Sequence, residues 1–187
     1  LNKGIPKDAQ KSYLAFVRTM VSNHPIIHID DSDVIKPEGR KFEALGLVRD
    51  GSKSTNTKTV YEKGYHVTEA CVLTGNNHPV SIFSRIHSSK EKNYTSTNSV
   101  TFSAMERGAS LFGKATFVMD RGYDDNKMFL KLDALKQDYV IRLKSNRKLF
   151  YHNKWVMATE LRNRRKGKVR MPLYYKGKTH DAYLSHV

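Results

Sequence analysis

An apolar run that stops on an acid constrains this chain more than any other feature. In Lys114-Ala-Thr-Phe-Val-Met-Asp120-Arg-Gly-Tyr-Asp-Asp-Asn126, the run Ala115 to Met119 ends at Asp120. A continuous apolar run bounded by turn residues predicts a strand buried on both faces. Met128, Phe129, Leu132 and Leu135 follow at helical spacing. A strand followed by a helix is the unit of an open α/β sheet, and such sheets carry their chemistry at the carboxyl ends of the strands. Asp120 stands at that end. Asp124 or Asp125 can cap the following helix, and both favour its positive N-terminus, so this pair is read as structural. Asp is also a common turn residue. The strand alone therefore leaves two readings of Asp120, a functional acid or the start of a turn.

The same pattern occurs once more. Residues 7–21 place apolar side chains at 13, 14, 17, 20 and 21, which predicts a helix, and Asn23-His-Pro25 ends it. Ile26-Ile-His-Ile-Asp30-Asp31 follows, a second apolar run that stops on acids. Strand neighbours face opposite ways, so Asp30 and Asp31 cannot both point into one site. His28, inside this run, is expected to be a core histidine. A short helix fits 40–45, and Asp50 to Thr57 reads as a mobile loop. Strands are expected at 65–74 and 79–86, joined by the turn Gly75-Asn-Asn-His78. A helix fits 97–112, with Val100, Phe102, Met105, Ala109 and Phe112 on its apolar side and Gly113 as its cap. The Asp120 strand, a helix at 124–136 and a strand at 138–144 complete the order.

That order is α, β, β, β, α, β, α, β. It is the order of a ribonuclease-H-like domain: a mixed sheet flanked by helices, in an α/β fold. Parallel neighbours need a crossover of about a dozen residues or more, and both helical connections are long enough. In this topology the two strands that end on acids lie side by side and parallel. The expected division is a core at 1–144 and a basic, mostly β element at 145–187. In the latter, Lys148 to Tyr151, Val169 to Tyr175 and Ala182 to Leu184 read as strands, with turns at Lys166-Gly-Lys168 and Lys176-Gly-Lys178. Ala158 to Arg165 fits a short basic helix, and Trp155 is expected to be local core.

Composition excludes several classes. The 187 residues are 39% hydrophobic and 27% charged, as in an ordinary folded domain rather than a disordered one. No run of eighteen apolar residues exists, so no membrane span is expected. Cys71 is the only cysteine, which rules out an internal disulfide framework and a cysteine zinc cluster. A reducing cytoplasm is the simplest compartment. The net charge is +15 and unevenly spread: residues 140–187 hold thirteen Lys/Arg and two Asp/Glu. A concentration of this kind is the footprint of a polyphosphate partner such as nucleic acid. Phosphoryl transfer on nucleic acid suits paired strand-end carboxylates, because two divalent ions can activate one oxygen and stabilise the other. Mg²⁺ keeps part of its water shell, so a few carboxylates suffice.

The stretches Ile27-His-Ile-Asp-Asp-Ser-Asp-Val-Ile-Lys-Pro37, Asp50-Gly-Ser52, Phe117-Val-Met-Asp-Arg-Gly-Tyr123 and Val140-Ile-Arg-Leu-Lys-Ser-Asn-Arg147 together resemble a bacterial insertion-sequence transposase. The chain is similar to the cut-and-paste DDE family whose second motif reads Asp-Arg. That resemblance implies a ribonuclease-H-like core and three carboxylates, Asp, Asp and Glu, holding two Mg²⁺ or Mn²⁺ ions. It implies nicking at transposon ends, strand transfer into target DNA, and a homodimer on DNA in the full-length enzyme. By the family pattern, the first Asp is the second acid of its strand, here Asp31. Asp120 matches the second Asp and Arg121 its neighbour. The family's Glu follows a β-rich insertion, of which 145–187 looks like the beginning, so the chain is expected to be truncated before it. Glu160 is the only Glu after Asp120. Two further readings therefore stay open: a metal-dependent nuclease of the same fold using Glu160, and a non-catalytic DNA-binding remnant. Arg121, Arg142, Lys144, Arg147 and Lys148 are the expected DNA contacts.

Overall fold

Ile27 and Ile29 are buried while Ile26, His28 and Asp30 are exposed, so the strand Ile26–Ile35 (β1) packs one face and shows the other. It is central to the computed structural model, which describes residues 6–161, 169–175 and 178–184. The chain forms two units. One comprises Leu1–Met119 and Met128–Val140, the other Asp120–Lys127 and Ile141–Val187.

The first unit holds a six-stranded sheet. After the helix Lys7–Thr19 (α1) and β1 come Gly46–Arg49 (β2), Tyr61–Leu73 (β3), Pro79–His87 (β4), the helix Thr97–Phe112 (α2) and Thr116–Met119 (β5). The helix Asn126–Ala134 (α3) and the strand Asp138–Ile141 (β6) follow. The sheet order is β2-β3-β1-β5-β6, with β4 also paired to β3. β1 runs antiparallel to β3 and parallel to β5. β1 and β5 are thus parallel neighbours, as expected, but β1 does not stop on its acids: pairing with β3 carries it four residues past Asp31 to Ile35. This mixed sheet flanked by helices is compatible with a ribonuclease-H-like fold.

Local chemistry explains the elements. Ser96 caps α2 by accepting from the Ser99 N–H, and Ser99 returns the bond to the Ser96 N–H. Gly113 closes the helix at φ 75°, a conformation open mainly to glycine. The buried side of α2 is Val100, Thr101, Ala104, Met105 and Gly108; Val100 and Met105 are buried as expected, whereas Phe102, Ala109 and Phe112 are only half-buried. At Gly108 the helix approaches the sheet closely: a Cβ there would lie 2.7 Å from Ile27 Cδ1 and 2.9 Å from Phe117 Cζ. Under these side chains Phe117, Ile27, Ile29, Met105 and Leu132 form the fully buried core.

Several expectations need correction. His28 is exposed, because it lies on the outward side of β1. The Asp120 strand buries Phe117 and Met119 but only half-buries Thr116 and Val118, so one face is sealed and the other partly open. No helix forms at 40–45; Ala44 takes φ 51°, which a right-handed helix cannot accommodate. Instead the polar region yields the short β2, in which Val48 is buried and Leu47 exposed. The last sheet strand stops at Ile141, leaving Arg142 and Lys144 beyond it.

In the second unit a single 3-10 turn covers Arg121–Tyr123. Two hairpins follow: Lys148–Tyr151 (β7) with Lys154–Met157 (β8), and Val169–Tyr175 (β9) with Lys178–Leu184 (β10). Between them lies the one-turn helix Ala158–Leu161 (α4). Leu149, Val156, Ala158 and Leu161 form its core, with Leu143, Tyr151 and Leu184 packed against them. Trp155 is 60% exposed and, among the described residues, its aromatic contact is with the edge of Phe150, because β8 buries Val156 instead. The expected turn at 166–168, residues 176–177 and the rest of the 158–165 helix lie outside the described residues.

Candidate active site

The parallel ladder between β1 and β5 runs from Ile26 opposite Thr116 to Ile29 opposite Met119. β1 continues past that rung through Asp30 and Asp31. β5 ends, and the next residue is Asp120. Asp31 therefore lies inside β1, two residues past its last rung with β5, and Asp120 directly follows the carboxyl end of β5.

Asp31 is half-buried and lies opposite Thr68 of β3. The Thr68 hydroxyl donates to Asp31 Oδ1 at 2.6 Å. Thr68 Oγ1 is also 2.9 Å from Nε2 of His87, and both residues are fully buried. Asp30 points the other way and is exposed; its Oδ1 accepts the Asp31 N–H. Beside this group, Asp33 pairs with His66 at 2.6 Å. The His87 ring stands 5.6 Å from that of His66 and stacks on Tyr94 at 6.0 Å.

Burial pushes the His87 pKa below the ordinary histidine value. The neighbouring His66 and Arg85 add to the shift, while Asp31 and Glu91 oppose it. The consequence for stability has a definite sign. Below an unfolded pKa of about 6.5 the unfolded chain takes up a proton that folded His87 refuses. His87 therefore contributes full stability above that pH and loses it as pH falls through the window down to its lowered folded value. Chemical denaturation at pH 7 and pH 5 is expected to show a smaller acid-induced loss for His87→Gln than for the native chain.

In the second unit Asp120 is exposed and caps the 3-10 turn, its Oδ1 accepting the Gly122 N–H at 2.6 Å. Glycine at 122 suits this closeness, since a Cβ there would stand 2.8 Å from the same oxygen. Arg121 is exposed. Asp125 caps α3 through the Lys127 N–H. Asp124 does something different. It is buried, it accepts the Lys144 N–H at 2.8 Å, and Arg147 Nε lies 3.1 Å from its Oδ1. Arg147 also donates to Asn126 Oδ1 at 2.6 Å. Arg142, Lys144 and Lys148 are exposed. Asp124, Lys144, Asn146, Arg147 and Lys148 line a surface pocket of about 260 Å³. Glu160 is exposed and its Oε1 accepts the Met157 N–H at the start of α4.

Among the described residues no three His, Cys, Asp or Glu side chains gather at one metal position. Asp31 and Asp120 nonetheless have the character of hard-cation ligands. Each has one oxygen held by a protein donor, and the other oxygen takes no hydrogen bond among the described residues. A carboxylate so oriented, with a free oxygen, fits Mg²⁺ or Mn²⁺ that keeps waters in its remaining positions.

A family model described as the transposase DDE domain matches residues 22–185. The chain belongs to that family. No curated protein matches it. Membership makes the chain a transposase domain whose substrate is DNA. The matched region contains both acids and nearly the whole basic segment. Among the described residues of this DDE domain, no helix is long and apolar enough to cross a membrane. Thr68, His87 and the Asp124–Arg147 pair escaped the sequence reading. Strand register alone pairs Thr68 with Asp31, and no local motif announces it.

Proposed function

We propose that this DDE domain cleaves and joins DNA strands, with Asp31 and Asp120 as two of its metal-ligating carboxylates. The observation that carries the reading is the parallel ladder ending at Ile29 and Met119, after which one strand runs into Asp31 and the other into Asp120. Divalent ions supply activation of the attacking oxygen and stabilisation of the leaving one in phosphoryl transfer. The chain's own residues hold and orient. The Thr68 hydroxyl steers Asp31, and the Gly122 N–H steers Asp120. Arg121, Arg142, Lys144 and Lys148 are exposed cations suited to backbone phosphate. Arg147 differs, because Asp124 and Asn126 already occupy its guanidinium. The role of Glu160 at the start of α4 favours the reading without it as a ligand. The deciding experiment is nicking of supercoiled plasmid by the full-length gene product in Mg²⁺ or Mn²⁺. Cleavage that needs Asp31 and Asp120 but not Glu160 supports the proposal, and cleavage indifferent to both aspartates overturns it.

Contact with DNA has its own test. Each phosphate neutralised releases counterions, so log affinity falls with log salt by about 0.9 per contact. Replacing Arg142, Lys144 and Lys148 together by Gln is expected to flatten that slope by roughly 2 to 3 units. The loss is expected to be similar on unrelated duplexes, since phosphate carries no sequence information directly. Replacing Lys11, Arg18 and Lys90, exposed elsewhere, is expected to do much less. Fluorescence anisotropy across a salt series measures all three proteins; equal slopes would reduce the basic segment to a solvated face.

A further inference from the structure

We propose that Thr68 and His87 form a positioning relay that aims the Asp31 carboxylate at its metal ion. The proposal rests on the reading of Asp31 as a metal ligand, and it assigns work to two residues outside the recognisable motifs.

Hydrogen counting drives the inference. A threonine hydroxyl has one hydrogen to give, and an ionised carboxylate can only accept. The short bond from Thr68 to Asp31 therefore consumes that hydrogen. Thr68 Oγ1 must then act as an acceptor toward His87, whose Nε2 lies 2.9 Å away. Nε2 carries the ring proton and Nδ1 carries the lone pair. Nδ1 is buried and has no hydrogen-bond partner among the described residues. The lowered pKa of His87 agrees with a neutral ring. Each link of the chain Nδ1, Nε2–H, Oγ–H, Oδ1 is thus fixed in direction by the next.

Geometry makes the relay stiff. Thr68 and His87 are both 0% exposed, so bulk water does not compete for their hydrogen bonds. Tyr94 stacks on the His87 ring and His66 lies tilted beside it. Strand register sets Thr68 directly across from Asp31. Packing alone does not account for the arrangement. A buried nitrogen without a partner costs free energy that an apolar residue of similar shape would avoid. The cost is understandable if the relay orients a ligand, because partners that hold metal ligands typically change metal affinity about ten- to a hundredfold when removed.

The test reads metal binding directly, with Mn²⁺ alone as the probe, followed by electron paramagnetic resonance on the full chain. Asp31→Asn is the control for the site itself and is expected to abolish the Asp31-dependent binding. Thr68→Val keeps the shape and removes the hydroxyl; its Mn²⁺ affinity is expected to drop by about tenfold or more. Thr68→Ser, which restores the hydroxyl, is expected to recover native affinity. In the full-length gene product, Thr68→Val is expected to raise the Mn²⁺ concentration needed for half-maximal nicking more than it lowers the rate at saturating Mn²⁺. A core-packing role would lower the melting temperature without moving metal affinity, and serine would not rescue it.

The outcomes separate cleanly. If Asp31→Asn leaves Mn²⁺ binding intact, the site reading fails and the relay with it. If Asp31→Asn abolishes binding while Thr68→Val matches the native chain, the relay alone fails. Should Thr68→Val not fold, the nitrogen-15 chemical shifts of His87 in the native chain decide. A neutral ring protonated at Nε2 supports the relay, and a ring protonated at Nδ1 overturns it.

Discussion

Asparagine in place of Asp31 or Asp120 is expected to lower metal-dependent strand cleavage by the full-length gene product about a thousandfold or more. A carboxylate that holds a divalent ion supports several kcal/mol of transition-state charge stabilisation, and each ~1.4 kcal/mol is tenfold in rate. Stability is expected to change little, for a reason visible in the hydrogen bonds. In Asp31→Asn the new amide oxygen can still accept from the Thr68 hydroxyl, and in Asp120→Asn it can still accept from the Gly122 N–H. The loss is therefore chemical: charge and one ligand oxygen vanish while the turn and the strand stay. Plasmid nicking and thermal melting on the same preparations check both halves. A variant that melts normally and still nicks at the native rate would remove that residue from the site.

The second large effect concerns stability in the second unit. Asp124→Ala is expected to destabilise it by about 2 kcal/mol, because it removes a buried carboxylate that faces the Arg147 guanidinium and accepts the Lys144 N–H. The side chains of Asp124 and Arg147 are 1% and 19% exposed. The same substitution strands the Lys144 N–H, which Asp124 Oδ2 accepts. Removing both charges together, as Asp124→Leu with Arg147→Met, is expected to cost less than Asp124→Ala alone, since the pair is then replaced by apolar side chains as a unit. Chemical denaturation of the single and double variants checks the order. If Asp124→Ala matches the native midpoint, the pair does not hold the unit together.

The contacts of Asp124 also mark a division within the Asp-Arg-Gly-Tyr-Asp-Asp stretch. Three acids lie within six residues, and they do three different things. Asp120 caps a 3-10 turn and keeps an oxygen free, Asp125 caps α3, and Asp124 neutralises Arg147. Helix-capping chemistry is local, so the sequence could nominate Asp124 or Asp125 for that role. The choice between them, and the ion pair with Arg147, depends on a segment about twenty residues further on in the chain, which no local pattern reports.

By itself the sequence determined the features set by short-range physics. Apolar periodicity marked α1, β1, β3, β4, α2 and β5, and turn residues marked most of their ends, although β1 runs past its acids to Ile35. Long crossovers between acid-ended runs implied parallel neighbours, and β1 with β5 are parallel. Alternation along a strand meant that Asp30 and Asp31 face opposite ways, and they do. Tertiary structure decided whatever depends on which strand lies across from which. It exposed His28 and Trp155, whose apolar surroundings in sequence are not their surroundings in space. It turned Gly108 of α2 to the sheet, where the helix approaches Ile27 and Phe117 too closely for a larger residue, and left Phe102 and Phe112 half-buried. It placed Thr68 opposite Asp31 and His87 behind Thr68. The pairing of residues 31, 68 and 87 is a matter of register, and register is set by the whole sheet rather than by any window of the chain.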